Sequence, residues 1–169
     1  MEPIQACVVT VSDKGYAGER EDTSGPLLVR LLSAMGAEVV SQLIVPDEQA
    51  EIERALTTLA DETRADLVIT TGGTGPSPRD VTPEATLAVI EREMPGLAEV
   101  LRWEGYRRTR LAVISRGVAG IRGRTLIINL PGNPKAVHEG METLRPILPH
   151  TIKMMRGVDT EHNEGLSHA

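Results

Sequence analysis

Hydroxyls, glycines, a cation and a carboxylate crowd into one segment, Thr70-Thr-Gly-Gly-Thr-Gly-Pro-Ser-Pro-Arg-Asp80. Gly72, Gly73 and Gly75 leave backbone N–H groups bare to an approaching phosphate. Thr70, Thr71 and Thr74 add hydroxyls, Arg79 adds positive charge and Asp80 adds a carboxylate. That mixture suits a phosphate ester bound with a divalent metal. A second segment, Leu130-Pro-Gly-Asn-Pro-Lys135, has the same design. Pro131, Gly132 and Asn133 open a helix whose N-terminus suits an anion, and Lys135 offers a point charge or simply faces solvent.

Further candidates stand at other strand ends: Ser12-Asp13, Pro46-Asp47 and Ser115-Arg116. In a parallel sheet such ends share one edge, where residues distant in sequence converge. Asp47 and Asp80 are carboxylates of the kind that, beside bound phosphates, can hold Mg²⁺, since that ion takes oxygen ligands and keeps several waters. Asp47 also directly precedes a helix and has a second reading as its N-cap; both stay open. Asp80 has less claim to capping, because Thr82 occupies the cap position of the next helix. Known nucleotide fingerprints do not fit: no lysine follows Gly75, and Pro78 stands where a dinucleotide loop needs its third glycine. Seven arginines lie between Arg102 and Arg124 against the one acid Glu104, a surface for an anion or for another subunit. The four histidines show no ligand spacing and receive no chemistry.

The elements that must position these residues read as alternating strands and helices. Ala6–Val11, Ala37–Val45, Asp66–Thr71, Ala112–Ile114 and Thr125–Asn129 read as strands. Ser24 reads as the cap of a helix with Leu27, Leu28, Leu31 and Leu32 on one face, and Glu48–Thr63 as a helix carrying Ile52, Leu56 and Leu59. Helices follow over Thr82–Glu93 and Leu97–Arg108, and a last one over 134–156 is bent or broken at Pro146 and Pro149. Lys14–Asp22 reads as a polar, Gly-containing, mobile loop. The expected architecture is a three-layer α/β/α sandwich with a mostly parallel sheet, residues 1–156 forming one domain and 157–169 a polar, frayed tail.

Composition narrows the class. Aromatics are 2% and Phe is absent, so the core is aliphatic, as parallel sheets favour. A net charge of −6 argues against nucleic acid as partner. The lone Cys7 fits a reducing compartment, and neither a signal peptide nor a membrane-spanning run is seen, so a cytoplasmic protein without membrane association is expected.

The run Thr70–Thr86, together with Val11-Ser-Asp13, Ile44-Val-Pro-Asp47, Ile114-Ser-Arg116 and Leu130–Lys135, closely resembles the molybdopterin adenylyltransferase family, the MogA/MoaB group of molybdenum-cofactor biosynthesis proteins. The resemblance covers about residues 5 to 156. It implies a molybdopterin-binding-domain-like fold, a homotrimer, and Mg²⁺-dependent transfer of the adenylyl group of ATP to the terminal phosphate of molybdopterin, with release of pyrophosphate. It also implies a later molybdate-insertion step to which the product passes. Asp47 and Asp80 match the essential acidic positions. Thr71, Gly72, Gly73, Thr74, Gly75 and Arg79, with Pro131, Gly132, Asn133 and Lys135, match the segments that hold nucleotide and phosphates, and Ser12, Asp13, Ser115 and Arg116 complete the site. Two other readings remain open: a non-catalytic pterin carrier, and a nucleotide pyrophosphatase with a similar glycine loop.

Overall fold

Runs of β-branched residues form the strands, and leucines and alanines at helical spacing cover them. The computed structural model describes residues 2–158. Its strands are β1 (Gln5–Val11), β2 (Glu38–Val45), β3 (Leu67–Thr71), β4 (Arg92–Glu93), β5 (Ala119–Arg122) and β6 (Thr125–Leu130). Its helices are α1 (Asp13–Tyr16), α2 (Ser24–Ala34), α3 (Gln49–Asp61), α4 (Thr82–Val89), α5 (Pro95–Arg108), α6 (Pro134–Leu144) and α7 (Leu148–Met155). The strand order is β2-β1-β3-β6-β5-β4. β1 pairs in parallel with β2 and β3, and β3 with β6, whereas β5 runs antiparallel to both its neighbours.

Side chains alternate between the two faces of each strand, and this alternation makes the three layers. Ala6, Val8, Leu67, Ile69, Leu126 and Ile128 pack with Leu28 and Leu32 of α2 and with Val137, Met141 and Leu144 of α6. Cys7, Val9, Val11, Val68 and Ile127 face the other way, onto Ile52, Leu56 and Leu59 of α3 and Ala85 and Val89 of α4. Each fully buried aliphatic side chain contributes about 1.5–3 kcal/mol. Burial also raises the Cys7 thiol to about 11, so it packs as a small apolar group. The chain leaves β1 toward β2 on one side and returns to β3 on the other, so the crevice between the carboxyl ends of β1 and β3 is the topological switch point.

The three-layer, mostly parallel architecture matches the sequence expectation, with local corrections. Ala112–Ile114 is not a strand but part of a 3-10 turn, Arg110–Ile114, with no strand beside it to pair with. Leu111 is 70% exposed there, so its apolar run marks surface rather than core. β4 and β5 carry little sequence signal, because one is two residues long and the other is the Gly-containing Ala119-Gly-Ile-Arg122. Helix α2 begins at Ser24, but its hydroxyl donates to the Gly132 carbonyl (2.7 Å), and Asp22 accepts the Gly25 N–H in its place. Thr82 likewise opens α4 without capping it. The 134–156 helix breaks into α6 and α7 before Pro149. The Lys14–Asp22 loop starts as the single turn α1. Residues 159–169 of the expected tail lie outside the described residues.

At the opposite end of the sheet, Asp66 is 2% exposed and closes the fold. It accepts from Gln5 N (2.9 Å), Arg124 Nη2 (2.8 Å) and Arg156 Nη2 (2.6 Å), while Arg156 also donates to the carbonyls of Glu2 and Pro3. The end of the last helix is thereby tied to the start of the first strand. Burial alone would raise the carboxyl, but the hydrogen bonds from Arg156, Arg124 and Gln5 outweigh it and hold Asp66 at about 2. A carboxyl lowered on folding adds stability above its unfolded pKa of about 3.9, and that stability is lost as pH falls through the folded value. Asp66→Asn therefore lowers unfolding free energy by about 2–4 kcal/mol at pH 7. In denaturant titrations the gap from the unsubstituted protein narrows between about pH 4 and pH 2; a gap independent of pH would contradict the assignment.

Candidate functional site

The carboxyl ends of β1, β3 and β6 stop at one level, and the loops leaving them fold against one another. Thr71 Oγ1 donates to the Pro131 carbonyl (2.8 Å), and Gly72 N donates to Leu130 O (3.0 Å), so the two glycine-containing segments are joined backbone to backbone. A Cβ on Gly72 (φ +102°) would collide with the Val11 carbonyl, and one on Gly73 (φ +68°) with the Thr82 hydroxyl. Both positions require glycine on conformation and on space. The hydroxyl of Thr82 donates to Gly72 O (2.9 Å), which is why it does not cap α4.

A cavity of about 410 Å³ opens at this edge. Ser12, Asp47, Thr71, Gly72, Gly73, Asp80, Gly132 and Asn133 line it, so candidates from four separated segments converge as the sequence led one to expect. Ser115, Pro131 and Lys135 line an adjoining groove of about 440 Å³, which shares Asn133 with the cavity. Both volumes fall in the range of small-molecule sites.

The remaining candidates stand behind the lining and hold it. Asp13 and Asp47 exchange hydrogen bonds: Asp13 N donates to Asp47 Oδ2 (2.9 Å) and Asp47 N to Asp13 Oδ1 (3.0 Å). Asp47 is therefore not the cap of α3, whose N-cap position is Glu48. Arg79 clasps Asp13 through Nε and Nη2 (3.1 and 2.9 Å) and reaches Glu48 (3.0 Å). Arg116 donates to the carbonyls of Gly75 (2.9 Å) and Asp80 (2.7 Å) and pairs with Glu84, while its backbone N–H meets Thr74 O. Both arginines thus brace the glycine loop. Ser12 caps α1 by accepting from Gly15 N (3.0 Å), and Asn133 caps α6 by accepting from Ala136 N (2.8 Å). The arginine excess from 102 to 124 resolves mostly into such braces: Arg102 holds Gly117 O, Arg122 holds Asp61 and Arg124 holds Asp66.

The carboxylates carry the electrostatic character of the cavity. Burial raises the Asp47 carboxyl above the ordinary range, against a hydrogen bond from Asp13 N, and the charges of Asp13 and Asp80 raise it further while Arg79 offsets part. Asp80 Oδ2 accepts from Ser77 N (3.0 Å). A Cβ on Gly75 would lie 2.8 Å from that oxygen, and one on Gly73 would lie 3.2 Å from Asp47 Oδ1. The loop therefore lacks side chains where the two carboxylates approach it. Mutually repelling carboxylates beside a bare backbone fit a divalent cation that arrives with a polyphosphate, Mg²⁺ needing only one or two protein carboxylates when phosphates supply the rest. No group of three or more acidic, histidine or cysteine ligands exists among the described residues, so a resident metal cage is not the design there.

Three positioning residues carry no obvious sequence signal. Asn129 is buried and donates to Thr70 and Thr86 hydroxyls (3.0 Å each) while accepting from Val118 N (3.1 Å), locking β3, β6 and α4 together. An asparagine inside an apolar strand, among Leu126, Ile127 and Ile128, is the one available clue. Asp22 accepts from the Thr10 hydroxyl (2.7 Å) and Gly25 N, and Ser24 bonds Gly132 O; both line the cavity.

An α/β sheet with paired glycine loops and two carboxylates at its switch point is an arrangement suited to an anionic, phosphate-bearing ligand at the carboxyl edge. The family model described as a probable molybdopterin binding domain matches residues 7–150, and the chain belongs to that family. It is 40% identical over 166 residues to the molybdopterin adenylyltransferase of Helicobacter pylori (strain J99), covering 97% of this chain and 94% of that protein. It is 43% identical over 156 residues to the molybdenum cofactor synthesis protein cinnamon of Drosophila melanogaster, covering 92% of this chain but only 26% of that longer protein. The crystal structure of the molybdopterin biosynthesis enzyme MoaB from Thermus thermophilus superposes with a TM-score of 0.87 at 48% identity, over 91% of this chain and 97% of that one.

A carboxyl raised on folding costs stability at neutral pH, and the cost vanishes as pH falls below its unfolded value. Asp47→Asn, which keeps an oxygen for Asp13 N, accordingly melts higher than the unsubstituted protein at pH 7, with the difference closing near about pH 3. A lower melting temperature at pH 7 would show that the carboxylate is structural.

Proposed function

We propose that this chain adenylylates molybdopterin in molybdenum cofactor biosynthesis, joining the α-phosphate of ATP to the pterin's terminal phosphate and releasing pyrophosphate. The observation that carries the reading is the convergence of Asp47, Asp80, Gly72 and Gly73 on one cavity that shares Asn133 with a second groove. Two adjoining compartments suit two substrates that meet at a phosphate. The likeness to a curated adenylyltransferase over nearly the whole of both chains supports this reading over a carrier.

Phosphate attack on phosphate brings like charges together, so alignment and electrostatic compensation matter more than covalent chemistry. The free oxygens of Asp47 and Asp80 would hold Mg²⁺ with the triphosphate, and the cation supplies charge neutralisation there. The N–H groups of the Gly73–Gly75 backbone, which bond no other protein group among the described residues, would orient phosphates, and the α6 N-terminus with Asn133 would receive the terminal phosphate of the pterin. That nucleophile is already ionised at neutral pH, which removes the need for a general base. Arg79 and Arg116 keep the loop in place through their bonds to Asp13, Gly75 and Asp80.

The chain would work in the cytoplasm as a homotrimer and pass its product to a molybdate-insertion step. Two unlike sets of exposed apolar side chains support assembly: Trp103, Tyr106, Leu111 and Val113 on and just after α5, and Tyr16 of α1 with Val40, Leu43 and Ile44 of edge strand β2. Unlike patches meet head to tail, and such contacts close into rings. No helix among the described residues is long and apolar enough to cross a membrane.

In a single-turnover assay with molybdopterin and Mg·ATP, adenylylated pterin and pyrophosphate form together in equal amounts. Asp80→Asn lowers the transfer rate at least about a thousandfold, the scale of losing a principal electrostatic group, while pterin binding stays within a few-fold. Pyrophosphate without adenylylated pterin would favour the pyrophosphatase reading, and pterin binding without either product the carrier reading. Equal loss of binding and transfer in Asp80→Asn would refute this division of roles. Sedimentation of the unsubstituted protein gives a species of three chain masses, and Leu111→Asp shifts it toward the monomer.

A further inference from the structure

We propose that Glu139 recognises the amino-pyrimidine edge of the pterin and so sets the specificity of the second groove; the inference rests on the reading that this protein's substrate is a pterin. Glu139 lies on α6, one turn beyond Lys135 at the helix start. Its side chain is 18% exposed and lines the groove formed by Leu111, Ala112, Ile114, Pro131 and Ala136. The groove is otherwise mainly apolar and broad enough for a flat heterocycle. Among the described residues no donor hydrogen-bonds the carboxylate: Lys135 Nζ stands 4.0 Å away on a side chain that is 76% exposed, and Arg108, which feels the Glu139 charge, gives its hydrogen bond to Glu142 (2.7 Å) instead. An ion pair at the distance and exposure of Lys135 contributes little.

A carboxylate in an apolar slot with its acceptor oxygens unclaimed calls for a ligand with two parallel N–H donors. The 2-amino group and N3–H of a 2-amino-4-oxo-pyrimidine present such a pair. Adenine, with its single exocyclic amine flanked by ring acceptors, does not. The groove is therefore matched to the pterin and not to the nucleotide, which leaves the cavity beside Asp47 and Asp80 to ATP. The two compartments share Asn133, so a pterin seated at Glu139 extends its phosphate toward the α6 N-terminus, where the glycine loop can meet it.

The test measures binding, so it does not depend on catalysis. Fluorescence titration with molybdopterin should show a loss of roughly tenfold to a hundredfold in Glu139→Gln, the range for a charge-assisted pair, while calorimetry finds Mg·ATP affinity unchanged. The probe pair 6-hydroxymethylpterin phosphate and 6-hydroxymethyllumazine phosphate, in which an oxo group replaces the 2-amino group, isolates the contact. The unsubstituted protein should prefer the pterin at least tenfold, and Glu139→Gln should lose that preference. Unchanged molybdopterin affinity, an equal loss for ATP, or no preference between the two probes would each overturn the proposal. If the unsubstituted protein binds pterin through Glu139 but forms no adenylylated product, the proposed reaction fails and this assignment stands.

Discussion

The close approach of three backbones at the sheet's carboxyl edge governs the rest of the molecule. Gly72 passes directly over the Val11 carbonyl and hydrogen-bonds Leu130 O, so the end of β3 is wedged between the ends of β1 and β6. No side chain fits in that space. Once the wedge is made, Gly72 and Gly73 line the cavity at that edge, with Gly132 and Asn133 of the neighbouring turn beside them. The aliphatic core below fixes the level at which the strands end, and it does so through register: Thr10 pairs with Thr71 and Thr71 with Leu130.

Charge is the second constraint. The charges of Asp13 and Asp80 both bear on Asp47, at the edge of a cavity where Asp47 is itself partly buried. Arg79 pairs bidentately with Asp13 and also reaches Glu48, and Arg116 binds carbonyls and Glu84, so among the described residues neither Asp47 nor Asp80 has an ion pair of its own. The cavity is left with two unpaired carboxylates beside the side-chain-free backbone of Gly72 and Gly73, an arrangement that suits a metal-bound polyphosphate better than a bare anion. Stability given up at Asp47 is offset elsewhere, notably at Asp66, where the same residue type is fully matched by two arginines and a backbone N–H.

Much of the fold is legible in the sequence because its physics is local. Short, nearly continuous apolar runs in β1, β3 and β6, as strands buried on both faces require, and helical spacing in α2 and α3 specify those elements directly. Where sequence and structure part, short apolar runs are ambiguous: Leu111, Val113 and Ile114 belong to the surface, and only the absence of a neighbouring strand distinguishes them from a core strand. Hydroxyls mislead for a related reason. Ser24 and Thr82 have the identity and position of caps, yet each donates to a carbonyl more than a helical turn away in sequence, a bond no local rule contains.

Sequence alone determined the chemistry on offer: which loops are bare of side chains, which carboxylates and cations accompany them, and that alternating elements bring strand ends to one edge. Tertiary structure decided how those groups are used. It made Arg79 and Arg116 braces of the loop, released Asp47 from capping by placing Asp13 N against it, and set the half-buried Glu139 in a groove continuous with the cavity. The physical reason is that residue type fixes what a side chain can donate or accept, whereas its partner depends on which distant backbone the packed sheet carries to within hydrogen-bonding reach.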